Sequence, residues 1–177
     1  RGNTTAFRTL VETHQGFVYA VAYRFVQNAR DAEDITQEVF VRLWKNIASY
    51  RPETKLTTWL HKIVTNCCLD FLKSRHGRQR KQHVQLHRVP DVAAPSTPEH
   101  ELHQKELTEL VYRAAEELTP KQRAVFVLRD LEGLTPEEVS DALNMSAGNV
   151  KSNLFHARQK VYAQVKSFYQ TTDKTLL

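Results

Sequence analysis

The stretch from Leu134 to Arg158, LTPEEVSDALNMSAGNVKSNLFHAR, decides the fold of this chain. It predicts two short helices joined by a tight turn. Thr135 can cap the first helix, Pro136 fits its first position, and the carboxylate of Glu138 can reach back to the cap. Ser146 can cap the second helix. The pattern is typical of a helix-turn-helix, whose second helix can lie in a DNA major groove.

The second of these helices has an apolar stripe and a polar face. Val150, Leu154, Ala157 and Val161 fall at i, i+4, i+7 and i+11, which predicts one buried face. The polar face could simply be solvated, but the capped helix and turn before it favour DNA recognition. The residues off the stripe are Lys151, Ser152, Asn153, Phe155, His156 and Arg158.

The rest of the chain also reads as helices, because nothing alternates with period two for long enough to form a strand. One predicted helix opens at Asp31, and another is capped by Thr57 or Thr58. Val84 to Pro98 contains three prolines and predicts a linker. The expected fold is all-α, with two small helical domains joined by a flexible linker. The predicted bounds are 1–82 for the first module, 83–104 for the linker, 105–170 for the second module and 171–177 for the tail.

Charge is distributed unevenly along the 177 residues, although the net charge is only +5. Residues 1–80 carry 13 Lys and Arg against 7 Asp and Glu, and residues 142–177 carry 5 against 1. Two separate basic regions suggest two contacts with a polyanion such as nucleic acid. No apolar run approaches the ~18 residues of a membrane span, so a membrane protein is not expected. The chain begins at Arg1, which leaves targeting signals upstream of it open.

Enzymatic and metal-binding sites are not expected. The sequence shows no Ser-His-Asp constellation, no phosphate-binding glycine loop and no pair of carboxylates spaced for acid-base catalysis. Only 5 glycines are present. The adjacent Cys67 and Cys68 read as small core residues. A metal site remains an alternative for the pairs His83 with His87 and His100 with His103, but a flexible linker holds three or four ligands poorly. The sequence therefore predicts no catalytic residues, no cofactor and no metal.

Two stretches carry a resemblance to a known family. DAEDITQEVFVRLWK at 31–45, followed by TTWLHKIVTNCCLDFLKSRHGR at 57–78, resembles the second conserved region of extracytoplasmic-function sigma factors of bacterial RNA polymerase. Residues 118–158 resemble the fourth region of the same family. The resemblance covers both modules in the family's order. It implies a protein that binds core RNA polymerase and directs promoter-specific initiation, expected for a stress or envelope-response regulon.

The resemblance assigns the helix after Asp31 to docking on the clamp helices of the polymerase, and it adds a contact with the polymerase flap. Acidic side chains on this helix would repel DNA and suit a basic protein surface. Alternatively, Asp31 and Glu33 favour the helix N-terminus through its dipole, but Glu38 lies too far along for that. The predicted polymerase-binding residues are Asp34, Gln37, Glu38, Arg42 and Trp44.

The −10 promoter element is assigned by resemblance to the first module. The family melts this DNA and captures an exposed base in a pocket formed by the loop before the third helix, here Ser49 to Thr58. Stacking on aromatic or guanidinium planes can offset about 1–3 kcal/mol per base. Tyr50 and Arg51 could supply such planes. A core position is favoured for Trp59, and stacking on the base is the alternative. The predicted −10 residues are Tyr50, Arg51, Lys55, Thr58, Asn66, Asp70, Lys73, Arg75, Arg78 and Arg80.

The −35 element is assigned to the second module, where the chain departs from the family pattern. Asn153 and His156 stand where the family often has arginine. Arginine pairs with guanine and asparagine prefers adenine, so a different base preference is expected. Asn144 replaces the usual glycine of the turn and tolerates the left-handed conformation. The predicted −35 residues are Ser146, Lys151, Ser152, Asn153, Phe155, His156 and Arg158.

The linker length predicts that the two modules lie close together without polymerase. As a flexible coil, residues 81–104 would average about 25–30 Å end to end. The two promoter elements lie ~50 Å apart, and a fully extended linker reaches ~80 Å. Polymerase is therefore expected to hold the linker open. By resemblance, a further partner is an anti-sigma factor, which can be membrane-bound, and the chain itself is expected in the cytoplasm.

A rival from another class is a stand-alone helix-turn-helix repressor or activator. It predicts tight binding to duplex DNA without polymerase and a symmetric dimer. The sigma-factor interpretation predicts weak binding to DNA alone and specific initiation with core polymerase.

Overall fold

The computed structural model describes residues 4–50, 55–78 and 98–173, with side chains at 4–50, 55–74 and 106–170. All the regular structure in these ranges is helical, as predicted. The helices are α1 (Thr4–Val26), α2 (Ala29–Asn46), α3 (Leu56–Arg78), α4 (Pro98–Glu116), α5 (Pro120–Phe126), α6 (Pro136–Leu143) and α7 (Ala147–Asp173). A short 3-10 turn, Ile47–Ser49, follows α2, and a π-helical turn, Val127–Leu131, follows α5.

The first module is a bundle of α1, α2 and α3 around one apolar core. Each large side chain fully buried there contributes about 1.5–3 kcal/mol to folding. These fully buried residues include Val18, Val21, Phe25, Val39, Leu43, Leu60 and Val64.

Two predicted helix starts in the first module are wrong by two or three residues. The N-cap of α2 is Asn28, whose side chain accepts from the backbone N–H of Asp31. The helix therefore begins at Ala29, and Asp31 lies in its first turn. Similarly, α3 begins at Leu56, ahead of Thr57 and Thr58. At α2 the Asn28 side chain takes the cap position ahead of Asp31, which is why the helix starts earlier than the sequence pattern indicates.

The second module consists of α4 to α7, and its predicted capping signals are confirmed. Thr119 with Gln122 and Thr135 with Glu138 each form both hydrogen bonds of a capping box. The turn of the helix-turn-helix passes through Asn144, whose φ of 50° lies in the left-handed region, as predicted. Helix α4 begins at Pro98, so residues 98–104 of the predicted linker are helical, whereas 83–97 lie outside the described residues.

The two modules pack directly on each other. Ala124 and Val127 of the second module are fully buried in the core cluster of the first. Leu131 and Leu143 pack against the same cluster. This contact agrees with the expectation that the modules lie close together when polymerase is absent.

Buried charge reinforces the contact between the modules. Glu132 follows the π-helical turn, and its side chain is only 7% exposed. It accepts from Arg24 Nη1 at 2.5 Å and lies 3.4 Å from His61 Nε2. Arg123 is buried and donates to the carbonyl of Phe25 at 2.9 Å. Each of these contacts joins the second module to the first.

Within the ranges that the structure describes, no helix is both long enough and apolar enough to cross a membrane.

Candidate nucleic-acid interface

The N-terminal half of α7 and its cap carry the residues that the sequence predicts for −35 recognition. Ser146 accepts from the backbone N–H of Asn149 at 3.3 Å, which fixes the start of the helix. Val150, Ala157 and Val161 are buried, so α7 presents its opposite face to solvent. Phe155 is 56% exposed even though it is a large apolar residue. The exposed predicted residues on this face are Ser146, Lys151, Ser152, Phe155, His156 and Arg158.

The Asn153 side chain, among those predicted for recognition, bonds back to its own helix. It is half-buried, and Nδ2 donates to the carbonyl of Asn149 at 2.8 Å. One of the two Nδ2 hydrogens is therefore already used, which restricts how the amide can turn toward a base. Lys151, Ser152, His156 and Arg158 are the exposed polar side chains of the predicted set on α7 itself.

Arg158 is held by an acidic partner from outside the helix. Its Nε donates to Asp130 Oδ2 at 2.8 Å and its Nη2 donates to Asp130 Oδ1 at 2.6 Å. These hydrogen bonds raise the pKa of Arg158. The π-helical turn supplies Asp130, which contacts α7, and the residue just after the turn, Glu132, contacts the first module.

A cleft of about 270 Å³ opens where the end of α2 meets the start of α3. Trp59 borders it, and the ring centroid of Trp59 lies 5.1 Å from that of Tyr50. Both aromatic residues are half-buried, so Trp59 packs on the core and also presents an edge to the cleft. The lining residues are Arg42, Asn46, Ser49, Trp59, Lys62, Ile63 and Asn66.

Arg42 joins the predicted docking helix to this cleft. Its Nε donates to Glu38 at 2.7 Å and its Nη1 donates to Asp70 at 3.0 Å. Two hydrogen bonds raise the pKa of Arg42. The larger effect comes from the bond to Glu38 and the smaller from the bond to Asp70. Glu38, predicted for polymerase docking, and Asp70, predicted for −10 DNA, therefore share one guanidinium.

The other predicted −10 residues are distributed around the cleft to different extents. Asn66 lines the cleft, whereas Lys55 and Lys73 are exposed and Thr58 is half-buried. Arg51 and Arg80 lie outside the described residues, as do the side chains of Arg75 and Arg78.

The outer face of α2 carries the remaining predicted docking residues. Asp34, Gln37 and Glu38 are exposed. Trp44 is 40% exposed, and its ring meets that of Phe7 edge-on with centroids 4.7 Å apart. The face thus combines carboxylates with one exposed aromatic anchor, a composition suited to a protein contact.

Asn46, Lys62 and Ile63 are cleft residues that were not predicted from the sequence. A usable signal exists, because Trp59, Lys62, Ile63 and Asn66 have i, i+3, i+4 and i+7 spacing on one face of α3. The residues of α2 that face this side of α3 depend on how the two helices cross, and the sequence does not give that crossing.

The cysteines and histidines form no reactive centre in the described part of the chain. Cys67 and Cys68 are buried, and burial raises the pKa of Cys67 to about 11. No group of three or more His, Cys, Asp or Glu residues is placed to hold a metal ion within the described residues. The histidine pairs at 83 with 87 and 100 with 103 lie outside the described side chains.

Comparison with known proteins finds both modules in one family. The family profile for Sigma-70 region 2 matches residues 10–78, and that for Sigma-70 region 4 matches residues 108–161. The ECF RNA polymerase sigma factor SigE of Mycolicibacterium smegmatis is 39% identical over 154 residues, covering 86% of this chain and 58% of that protein. The chain thus spans little more than half of that relative. The RNA polymerase sigma-H factor of Pseudomonas aeruginosa is 27% identical over 170 residues. This alignment covers 91% of this chain and 86% of the Pseudomonas protein.

Solved structures share the fold. The sigma factor RpoE of Bartonella quintana, in complex with the anti-sigma factor NepR, gives a TM-score of 0.67 at 18% identity over 91% of this chain and 97% of the other. CnrH, in complex with the cytosolic domain of CnrY, gives 0.64 at 23% identity over 94% of this chain and 91% of the other. With both modules matched in sequence and the fold shared, the chain belongs to the extracytoplasmic-function sigma factors of the sigma-70 family.

Proposed function

We propose that this chain is a sigma factor that binds core RNA polymerase and directs promoter-specific transcription initiation. The observation that carries the proposal is the pairing of a solvent-facing recognition helix with a separate aromatic cleft, in two modules that match region 2 and region 4 in that order. A repressor needs only the first of these surfaces. The stand-alone repressor is therefore not favoured.

The cleft is the proposed site for −10 DNA. An extruded base needs a stacking surface, which Trp59 and Tyr50 can provide, and polar groups along its edge, which Asn46 and Asn66 can provide. Lys62 adds positive charge beside the cleft for the neighbouring phosphates. We assign base capture to this cleft and strand contacts to the exposed Lys55 and Lys73.

The exposed face of α7 is the proposed reader of the −35 element. Phe155 offers an apolar contact for a thymine methyl group, and Lys151 can donate to guanine or phosphate. Ser152 and His156 can donate to or accept from base edges. Because few phosphate-binding cations lie on this face, we expect weak binding to duplex DNA without polymerase.

The acidic face of α2 is the proposed docking surface for core polymerase, through its clamp helices. Asp34, Gln37 and Glu38 are exposed there, and Trp44 supplies an apolar anchor. We assign a contact with the polymerase flap to the second module.

The proposed inhibitor is an anti-sigma factor, of a kind that can be membrane-bound. The chain is proposed to act in the cytoplasm. Two structural neighbours are bound to an anti-sigma factor or to the cytosolic domain of another protein. We propose that such a partner competes with polymerase for the exposed acidic face of α2.

Selection of DNA from a random duplex pool, with and without core polymerase, tests this proposal. The proposal expects enrichment of a two-part motif only when the chain and core polymerase are both present. Enrichment of a palindromic motif by the chain alone would support the repressor instead.

A further inference from the structure

The bidentate ion pair between Asp130 and Arg158 links the π-helical turn to the proposed recognition helix. The Arg158 side chain is 58% exposed and that of Asp130 is 21% exposed, so the pair presents its cation to solvent. Within the part of the chain that the structure describes, Asp130 is the hydrogen-bond partner of this guanidinium at both Nε and Nη2.

The pair leaves a second donor edge free. A guanidinium carries five N–H groups in one plane. Asp130 occupies the Nε hydrogen and one Nη2 hydrogen, so one Nη2 hydrogen and both Nη1 hydrogens remain. The remaining Nη2 hydrogen and one Nη1 hydrogen lie side by side on the outer edge. That edge is again a two-donor fork, which matches two phosphate oxygens or the O6 and N7 atoms of guanine.

We propose that Asp130 is a positioning residue for DNA recognition, which holds Arg158 so that its outer edge meets a pair of acceptor atoms on the −35 duplex. This inference rests on the function proposed above. A long unpaired side chain loses rotamer freedom when it binds, and a side chain already fixed by a carboxylate loses less. Because the pair carries little net charge, Arg158 acts through its orientation rather than through general attraction to DNA.

The test uses holoenzyme formed from the full chain and core polymerase, bound to the duplex that the wild-type holoenzyme selects. Asp130→Asn removes the anchoring charge, and Arg158→Lys keeps the positive charge but removes the fork. We expect each variant to weaken duplex binding roughly tenfold. We expect the double variant to bind no more weakly than Arg158→Lys alone, because Asp130 acts through Arg158. Asp141→Asn, an exposed acid on α6, is the matched control and should leave affinity unchanged.

Additive losses in the double variant would overturn the inference, as would Asp130→Asn binding as tightly as wild type or more tightly. A purely structural ion pair would lower the midpoint of thermal unfolding in both variants without a shared loss of DNA affinity, which also overturns it. Single base-pair changes in the duplex identify the acceptor. Loss of discrimination at one guanine indicates a base contact, and uniform weakening indicates phosphate; both results support the positioning role. If wild-type holoenzyme selects no duplex, the proposed function itself fails.

Discussion

Arg42 on α2, which lines the aromatic cleft, donates to the carboxylate of Asp70 on α3 at 3.0 Å. The same guanidinium donates to Glu38 on the exposed face of α2. The surface proposed for polymerase docking and the cleft proposed for −10 DNA therefore share a side chain. A change at the docking face can reach the cleft through this one residue.

Replacing Arg42 by Gln should impair opening of the −10 DNA more than binding of core polymerase. The variant loses two charge-assisted hydrogen bonds and one cation beside the cleft. We expect roughly tenfold less open complex, measured by fluorescence of 2-aminopurine in the −10 strand, with core affinity changed less than twofold.

Lys45→Gln is the control for that experiment, because Lys45 is an exposed cation on the same helix. It should leave both quantities near wild type. If Arg42→Gln instead lost core binding and open complex in equal measure, Arg42 would be a docking residue alone.

Replacing Glu132 by Gln should loosen the contact between the modules. Glu132 is buried between Arg24 and His61, and its loss leaves the Arg24 charge without a carboxylate partner. Resonance energy transfer between dyes on Glu33→Cys and Lys166→Cys should show a larger fraction of separated modules in this variant than in Asp141→Asn. Equal transfer efficiencies would show that apolar packing alone holds the modules together.

The same contact has a defined pH dependence. Burial alone would raise the pKa of Glu132, but the hydrogen bond from His61 and the charge of Arg24 outweigh it and lower the pKa below its usual 4.5. The stabilisation is therefore present above pH 4.5 and is lost as the pH falls through the lower folded-state value. Energy transfer should fall on acidification in wild type and change less in Glu132→Gln. An identical pH profile in the two proteins would contradict this assignment.

Leu43→Ala should destabilise the first module by about 2–5 kcal/mol, because Leu43 is fully buried in the core. Val41→Ala on the same helix should cost about 0.5 kcal/mol or less, since Val41 is 45% exposed. Chemical denaturation gives both free energies of unfolding. A similar cost for the two variants would contradict the described placement of α2.

The recognition helix should change its base preference when its two departures from the family pattern are reversed. Asn153→Arg and His156→Arg each add a side chain that can pair bidentately with guanine. Selection with holoenzyme should then enrich guanine at a −35 position where wild type does not. A motif unchanged in the double variant would place these residues outside the reading surface, and Gln159→Arg serves as a control for added charge.

Local signals in the sequence predicted most of the second module. Both capping boxes depend on residues three apart, and Asn144 tolerates its left-handed turn through its own chemistry. These features are encoded within a few residues, so they can be read without the tertiary structure.

Contacts between distant residues were not predictable in the same way. Arg42 with Asp70, Glu132 with Arg24 and Asp130 with Arg158 join residues 28 or 108 positions apart. Their pairing depends on how helices cross, and many other acids were equally available in the sequence. Predicting the cleft also requires the crossing of the helices. The sequence therefore left two placements open for Trp59, the core and a stacking surface. In the structure Trp59 is half-buried, packs against the core and lines the cleft.

Run-off transcription tests the central claim most directly. Core RNA polymerase is incubated with the chain and with DNA carrying the motif selected by holoenzyme, and transcripts are mapped to single-nucleotide resolution. We predict one start site downstream of the motif, which is lost when either half of the motif is replaced or when the chain is left out. Transcription that starts at the same site without the chain, or no specific transcript with active chain and core polymerase, would contradict the account.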